Sequence, residues 1–341
     1  MTDISIRTEG CAGRITIQRP KALNALTAPM IPAISAALTD WALNDAVDLV
    51  FFDAEGDKAF CAGGDIADLY AAGRAGDFAF GQTFWRDEYH LNAQIAEFPK
   101  PTVSFLQGFT MGGGVGLGCH CATRIVGDSS QIAMPECGIG LIPDVGGSLI
   151  LSTAPGRTGE YLGLTGARMG AGDAIYAGFA DHYLPESEWA AVKDRMITTG
   201  AITYPKVTPP NGTLAENQVE IDRVFAQPTL SAILTKLDSY DSPFAAPTRK
   251  ALLRASPLSM ACALELLRRV RKNPKIRTAL TEEYRFTYRA TEFGDFLEGI
   301  RAAIIDKDRN PKWRHGPTSV TETQVSHMMA PLGRDDMTWK E

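Results

Sequence analysis

The chain has 341 residues, of which 45% are hydrophobic and 22% charged, and its formal net charge is −6. A globular protein with a sizeable core fits these values, and the absence of a basic patch or arm excludes nucleic acid as an expected partner. No apolar run in the sequence is long enough to span a bilayer, so no membrane role is expected.

The N-terminus and the cysteines indicate a compartment. The first residues are polar and include Asp3, and they lack the basic and apolar regions of a signal peptide. The six cysteines have irregular spacing in a long chain, which does not indicate a disulfide scaffold. We therefore expect a cytoplasmic protein with reduced thiols.

The first half of the chain alternates predicted strands and helices, which is typical of an α/β layered fold. Two alternating segments around Glu9–Gly13 predict a hairpin. The predicted strands are Ile4–Thr8, Arg14–Arg19, Leu49–Phe52, Thr102–Leu106, Arg124–Val126 and Gln131–Met134. The predicted helices are Pro29–Trp41, Asp65–Gly73, Phe80–Phe98 and one that a glycine-rich turn opens within Gly112–Cys121.

Helical patterns dominate from Gly156 onward. The segment Gly200–Asn211 is rich in Pro, Thr and Gly and reads as a linker. We divide the chain into a core (1–200), a linker with helices (201–250) and a helical C-terminal region (251–341). The polar tail after Pro311 is expected to be loosely held. The helices predicted here are Leu214–Phe225, Leu230–Leu237, Pro257–Lys272 and Ile276–Glu292.

Two glycine-rich stretches, Ala59–Ile66 and Gln107–Gly118, are the first candidates for chemistry. A glycine turn that opens a helix leaves backbone N–H groups unpaired. Two such turns facing each other form an oxyanion hole, which contributes on the order of 3 kcal/mol per donor. Glycines that only permit tight turns or packing are the alternative for any one of them. Two such stretches in one chain favour the functional interpretation.

A third stretch, Met134–Gly147, carries two acids in a loop dense in Gly and Pro. Glu136 and Asp144 both lie between apolar residues. Carboxyl groups in such surroundings are often partly buried and suited to acid–base chemistry. The alternative for each is a helix N-cap, and Asp144 precedes a possible helix start.

The sequence does not match other common motifs for cofactor binding or catalysis. The run Gly112–Gly118 misses the dinucleotide fingerprint, because its third glycine position falls on Cys119. The sequence contains neither a P-loop Lys-Ser/Thr pair nor a G-x-S-x-G elbow. Cys119, His120 and Cys121 lack a second ligand pair, so no metal site is expected. The small, apolar surroundings of Cys61 favour packing over a nucleophilic role.

The three stretches, together with Ile17–Leu26, resemble the crotonase (enoyl-CoA hydratase/isomerase) superfamily. The resemblance implies an α/β fold that is a crotonase-like spiral of ββα repeats with a helical C-terminal region. It also implies an acyl-CoA-binding core whose oxyanion-hole donors match Gly64 and Gly113. Coenzyme A would be part of the substrate, with no separate cofactor. By the same resemblance, the CoA tunnel is lined by Lys21, Asn24, Ala25, Leu26, Ala62, Gly63, Asp65 and Ile66.

The departures from the hydratase pattern point to one branch. The second catalytic glutamate of hydratases matches Glu136, but the first falls at Gly116, and Asp144 replaces a glycine. This combination resembles the 3-hydroxyisobutyryl-CoA hydrolase branch, which implies hydrolysis of a short 3-hydroxyacyl-CoA in valine degradation. In that branch, a glutamate matching Glu88 contacts the substrate.

The resemblance implies a mechanism with two open routes. Glu136 either activates water or attacks the thioester to form a mixed anhydride. Asp144 and Glu88 would hold the substrate's hydroxyl group. A hydratase or isomerase acting through Glu136 alone, and a non-catalytic acyl-CoA-binding protein, are the alternatives. A homo-oligomer is possible.

Overall fold

The computed structural model describes residues 3–339, which separate into two compact units. The first unit contains the described residues up to Asp65, Asp87–Ala133 and Arg168–Thr213. The second contains Ile66–Arg86, Met134–Ala167 and the described residues from Leu214 onward. Each unit is built from three separate stretches of the chain. The predicted division into 1–200, 201–250 and 251–341 stays a prediction.

The strands lie in the first unit and form two sheets. A six-stranded sheet has the order β1-β2-β3-β5-β7-β9, and a three-stranded sheet has the order β4-β6-β8. Only β1 and β2 pair antiparallel in these sheets, as the predicted hairpin; the other pairs are parallel. The strands are β1 (Ile4–Glu9), β2 (Ala12–Ile17), β3 (Leu49–Ala54), β4 (Ala59–Cys61), β5 (Thr102–Leu106), β6 (Phe109–Met111), β7 (Thr123–Val126), β8 (Gln131–Ala133) and β9 (His182–Tyr183).

Helices occur in both units. Helix α3 is shared, since its residues up to Arg86 belong to the second unit. The helices are α1 (Met30–Ala42), α2 (Ala67–Arg74), α3 (Phe78–Ala96), α4 (Gly113–Gly118), α5 (Gly147–Thr153), α6 (Thr158–Thr165), α7 (Ala171–Tyr176), α8 (Trp189–Thr199), α9 (Leu214–Phe225), α10 (Leu230–Leu237), α11 (Ala245–Arg254), α12 (Pro257–Lys272), α13 (Ile276–Ala290), α14 (Phe296–Ile300) and α15 (Glu322–Met328). Shorter 3₁₀ turns include Pro20–Ala22 and Glu136–Ile139, and Arg301–Ile305 is a π-helix.

The core of the first unit explains its parallel strands. Strand β5 is buried throughout, and β3 is buried except at its last residue, as expected for central parallel strands covered on both faces. The ring of Phe105 lies 6.2 Å from that of Phe51 and 5.3 Å from that of Trp189 at the start of α8. The predicted α/β fold is confirmed.

The second unit is helical and centres on α12. Ser256 caps this helix by accepting a hydrogen bond from the Ser259 N–H, and Pro257 occupies its first turn. The buried face of α12 includes Leu264 and Leu267 and packs against α5, α6, α13 and α15. The predicted helical C-terminal region is therefore confirmed.

The prediction of a loosely held tail after Pro311 is wrong. Helix α15 begins with a capping box between Thr321 and Gln324. Met329 is fully buried, and its carbonyl accepts a 2.7 Å hydrogen bond from Arg269 on α12. Arg289 on α13 donates to the Ala330 carbonyl at 2.8 Å. Local polarity hid these contacts, because both arginines are distant in sequence.

Among residues 3–339, no helix has both the length and the apolar character that crossing a membrane requires.

Candidate active site

The first glycine turn follows β4 in the first unit. The Leu26 N–H donates to the Gly63 carbonyl at 2.9 Å, and the Asp65 N–H donates to the Leu26 carbonyl at 2.8 Å. Gly63 has φ +119°, a conformation that side chains disfavour. This pairing uses the residues on either side of Gly64 and leaves the Gly64 N–H without an acceptor in the described part of the chain.

The second glycine turn joins β6 to α4 in the same unit. Gly112 has φ 49° and ψ −121°, which only glycine adopts readily, and α4 begins at Gly113. A Cβ atom added to Gly113 would lie 3.4 Å from the Gly64 nitrogen and 2.9 Å from Oε1 of Glu88. The first unit therefore brings together the backbones of Gly64 and Gly113 and the carboxyl group of Glu88, which lies on α3.

The Gly113 N–H is at the first position of α4 and has no intrahelical partner. Across residues 3–339, no backbone or side-chain acceptor pairs with it. Two N–H groups on adjacent backbones can stabilise one oxygen that gains negative charge. Gly64 and Gly113 are therefore the candidate donors of an oxyanion hole.

Cys61 lies at the end of β4 and is fully buried. Burial raises the pKa of its thiol to about 12, and the charge of Glu88 also raises it. A thiol with this pKa is almost entirely protonated near neutral pH and is a poor nucleophile. The packing interpretation of Cys61 therefore fits its surroundings.

Lys21 and Asn24 line a cavity of about 230 Å³ in the first unit, which also includes Pro20, Glu55, Gly56, Asp57, Lys58 and Ala59. The Asn24 side chain forms three hydrogen bonds within the protein. It accepts from the Arg19 N–H at 2.8 Å and donates to the carbonyls of Glu55 at 2.9 Å and Ala59 at 2.7 Å. Asn24 therefore fixes the wall of this cavity, whereas Lys21 is exposed beside it.

The other predicted tunnel residues of the first unit form one cluster. The Ala62 N–H donates to the Leu23 carbonyl at 3.0 Å. Arg19, which the sequence analysis did not single out, donates to the Ala25 carbonyl at 2.5 Å and to Asp65 at 3.1 Å. These bonds join the predicted set Ala25, Leu26, Ala62, Gly63 and Asp65. Ile66 instead belongs to the second unit, immediately before α2.

The two predicted acids of the third stretch lie in the second unit. Glu136 begins a 3₁₀ turn and is 5% exposed, and its Oε2 atom has no hydrogen-bond partner among the described residues. Burial, and then the charges of Asp144 and Glu283, raise the pKa of Glu136 well above its ordinary value. A carboxyl group of this kind is a stronger base when ionised than an exposed glutamate.

Asp144 is 4% exposed and begins the turn that leads into α5. Its carbonyl accepts from the Gly147 N–H at 2.7 Å. Val145 has φ 54°, which is strained for a β-branched residue and costs about 1–3 kcal/mol. Gly146 occupies the N-cap position of α5, so the alternative role of Asp144 as that N-cap does not hold.

Glu283 on α13 is a third buried acid, which the sequence analysis missed. It accepts hydrogen bonds from the N–H groups of Gly146 at 2.8 Å and Ser148 at 3.1 Å, and from the Ser148 hydroxyl. Burial raises its pKa to about 8, although these hydrogen bonds act in the opposite direction. A helical pattern could have revealed it, since Glu283 falls on the same apolar face as Leu280 and Phe286.

The thiols of Cys119 and Cys121 are buried, and burial raises the pKa of each to about 12. Within residues 3–339, no group of three His, Cys, Asp or Glu side chains is arranged to hold a metal ion.

A family model described as enoyl-CoA hydratase/isomerase matches residues 12–329. The chain belongs to the enoyl-CoA hydratase/isomerase family. The resemblance to the crotonase superfamily is thereby confirmed.

Curated members of the enoyl-CoA hydratase/isomerase family align over nearly the whole chain. The 3-hydroxyisobutyryl-CoA hydrolase of Rattus norvegicus, named as mitochondrial, is 36% identical over 98% of this chain and 90% of its own. The protein of the same name from Homo sapiens is 33% identical over the same shares. The branch that the sequence resembles is therefore represented among its relatives.

Two solved structures of the family superimpose closely but carry other names. An enoyl-CoA hydratase from Rhodobacter sphaeroides 2.4.1 is 57% identical, with a TM-score of 0.97 over 99% of this chain and 100% of that one. A carnitinyl-CoA dehydratase from Mycobacterium thermoresistibile is 38% identical, with a TM-score of 0.94 over 99% of each chain. The names differ in reaction type, so family membership alone does not decide the activity.

Proposed function

We propose that this protein hydrolyses a short 3-hydroxyacyl-CoA thioester, with 3-hydroxyisobutyryl-CoA as the first candidate substrate. The observation that carries the proposal is Glu136, a buried carboxyl group with one oxygen that lacks a partner among the described residues. The names of the curated relatives support the substrate class. The activity would be a step of valine degradation.

In this mechanism the backbone supplies the oxyanion donors. The N–H groups of Gly64 and Gly113 bind the thioester oxygen as negative charge develops on it. Because that charge is greater in the transition state than in the substrate, these donors lower the barrier more than they tighten binding.

Glu136 supplies the attacking chemistry in this proposal, and two routes are compatible with it. As a general base, its carboxylate removes a proton from water while the water oxygen attacks the carbonyl carbon. As a nucleophile, the carboxylate attacks that carbon itself, coenzyme A leaves as a thiol after protonation, and water then hydrolyses the anhydride. Asp144 and Glu88 hold the hydroxyl group of the substrate in either case.

The second candidate is enoyl-CoA hydration, which the name of the 57% identical Rhodobacter sphaeroides structure favours. By the family resemblance, Gly116 stands where hydratases carry their first catalytic glutamate. Gly116 is buried in α4 and has no side chain that could handle a proton. Hydration would therefore depend on Glu136 alone.

Thiol release separates these candidates. We expect free thiol from 3-hydroxyisobutyryl-CoA or 3-hydroxypropionyl-CoA. Rapid loss of enoyl absorbance from crotonyl-CoA without free thiol would instead support the hydratase, and binding without turnover would support a non-catalytic protein. The two saturated substrates differ by one methyl group, which discriminates by about 1–3 kcal/mol.

The variant Glu136→Gln tests the central residue. It keeps the shape of the side chain but cannot act as a base or an anionic nucleophile, so kcat should fall by on the order of 10²–10⁴-fold with a small change in KM. Glu160→Gln is the matched control, because Glu160 is also a buried acid of the second unit, paired with Arg271. Full kcat in Glu136→Gln would overturn the role of Glu136.

Single-turnover hydrolysis in heavy-oxygen water tests the anhydride route. Label that appears in the Glu136 carboxylate supports the anhydride, because water then opens it at the Glu136 carbonyl carbon. Label only in the product acid rejects opening at that carbon and is the result expected for direct attack by water.

Coenzyme A enters as part of the substrate, and the proposal includes no other cofactor. The cytoplasmic location and the possible homo-oligomer stay predictions from the sequence, and the relatives named above are mitochondrial by name.

A further inference from the structure

The turn from Asp144 to Ser148 donates hydrogen bonds to the buried carboxyl group of Glu283 on α13. We propose that Glu283 is a positioning residue for the hydrolysis, which fixes this turn so that Asp144 keeps the orientation that the reaction needs. The inference rests on the proposed function, in which Asp144 binds the substrate's hydroxyl group. Glu283 itself has no role in contacting substrate.

The contacts of Glu283 are specific to this turn. Its Oε2 atom accepts from the Gly146 N–H at 2.8 Å, and its Oε1 atom accepts from the Ser148 N–H at 3.1 Å and from the Ser148 hydroxyl. The side chain is fully buried on α13, so water does not compete for these bonds. One carboxyl group thereby satisfies three donors within three residues of the turn.

The turn is one that needs such support. Val145 and Gly146 have φ values of 54° and 78°, so two consecutive residues adopt left-handed backbone. A β-branched residue persists in this conformation only where its surroundings impose it. Within the turn, the bond from the Gly147 N–H to the Asp144 carbonyl closes one end. Glu283 fixes the other end, on the two residues that flank Gly147.

A buried acid at this place is unfavourable for the fold alone. Glu283 and Glu136 are both buried acids of the second unit, and burial, together with the charge of Asp144, raises the pKa of each. An apolar residue on α13 would avoid the cost of burying an acid but would leave the turn's N–H groups without acceptors. The carboxyl group therefore serves the geometry of the turn.

Three variants and one control test the inference. Glu283→Gln keeps the volume but turns an NH₂ group toward one of the N–H donors, and Ser148→Ala removes one of the three bonds. The double variant shows whether the two residues act through the same contact. Glu160→Gln is the control, since Glu160 is 3% exposed on α6 and its bonds go to Arg157 and Arg271 and not to the turn.

Each protein is assayed for thiol release well below its own melting temperature. We expect Glu283→Gln to lower kcat by on the order of ten- to a hundred-fold, because a small misplacement of a substrate-holding group has this effect. KM should change by less than about three-fold. Ser148→Ala should have a smaller effect on kcat, and the double variant should be no slower than Glu283→Gln. The control should lose stability but keep its kcat.

The outcomes distinguish this inference from the proposed function. If the parent protein releases no thiol, the proposed function fails. If the parent is active and a folded Glu283→Gln variant keeps the parental kcat, the positioning role alone is overturned. If Glu283→Gln does not fold, Ser148→Ala decides, and a kcat equal to that of the parent rejects the role.

Discussion

Asp53 at the end of β3 illustrates how a single buried charge is stabilised in the first unit. Its side chain is 2% exposed, and burial by itself would raise its pKa. Lys193 at 2.9 Å and Arg14 at 2.8 Å, together with the Thr16 hydroxyl at 2.7 Å, lower that pKa below its ordinary value. The carboxyl group is therefore ionised and forms ion pairs with two cations, Arg14 and Lys193.

We expect Asp53→Asn to destabilise the protein by about 3 kcal/mol, because it leaves the Lys193 amine without its anion and leaves Arg14 with Glu9 alone. Lys193→Met should cost less, about 1 kcal/mol, since Arg14 still pairs with Asp53 and the methionine keeps packing near the Phe105 ring, which lies 4.6 Å from the lysine amine. Urea unfolding of the two variants measures the difference. Equal losses in the free energy of unfolding would show that the ion pair with Arg14 does not stabilise the buried charge of Asp53 when Lys193 is absent.

At the scale of elements, the two glycine turns of the first unit depend on the strands that precede them. Strands β4 and β6 are neighbours in the three-stranded sheet, so the turns that follow them begin side by side. This parallel pairing places the backbone of Gly113 against that of Gly64. The candidate oxyanion donors are thus a consequence of strand register.

Gly113→Ala tests this arrangement. The added methyl group would lie 3.4 Å from the Gly64 nitrogen and 2.9 Å from Oε1 of Glu88, next to a candidate oxyanion donor. We expect kcat to fall by on the order of 10²–10³-fold in the thiol-release assay. Gly170→Ala is the control, because its Cβ meets no atom within 4 Å and its φ is −73°. Unchanged kcat in a folded Gly113→Ala protein would reject these donors.

At the scale of the whole molecule, the buried acids shape the response of stability to pH. Glu283 has a pKa raised from 4.5 to about 8, and that of Glu136 is also raised, so the native state retains protons that the unfolded chain releases. Their contribution is complete below about pH 4.5 and is lost as pH rises through the raised values. The lowered pKa of Asp53 acts oppositely, and its contribution is lost as pH falls below about 3.8.

We therefore expect the free energy of unfolding to decrease between about pH 4.5 and about pH 8. In that interval Glu283 contributes a slope of at most about 1.4 kcal/mol per pH unit. Denaturant unfolding across this range should give a flatter profile for Glu283→Gln than for the parent. Parallel profiles would mean that the native state does not hold the Glu283 proton in this interval.

The sequence by itself determined the elements whose signals are local. Strand β5 and helices α9, α10 and α12 have the bounds that were predicted, because their apolar spacing lies within the segment. Strands β4 and β6 were missed, since both lie in the two glycine-rich stretches that were interpreted as turns. The family motifs identified Gly64, Gly113, Glu88, Glu136 and Asp144 as candidates.

Only the tertiary structure decided what surrounds those candidates. Glu283 is 137 positions from Gly146, and Arg269 is 60 positions from the Met329 carbonyl that it holds. A hydrogen bond between such residues leaves no pattern in either segment, because it depends on how the helices pack. The sequence could name the reactive groups, but the burial and the long-range hydrogen bonds that tune and orient them exist only once the chain has folded.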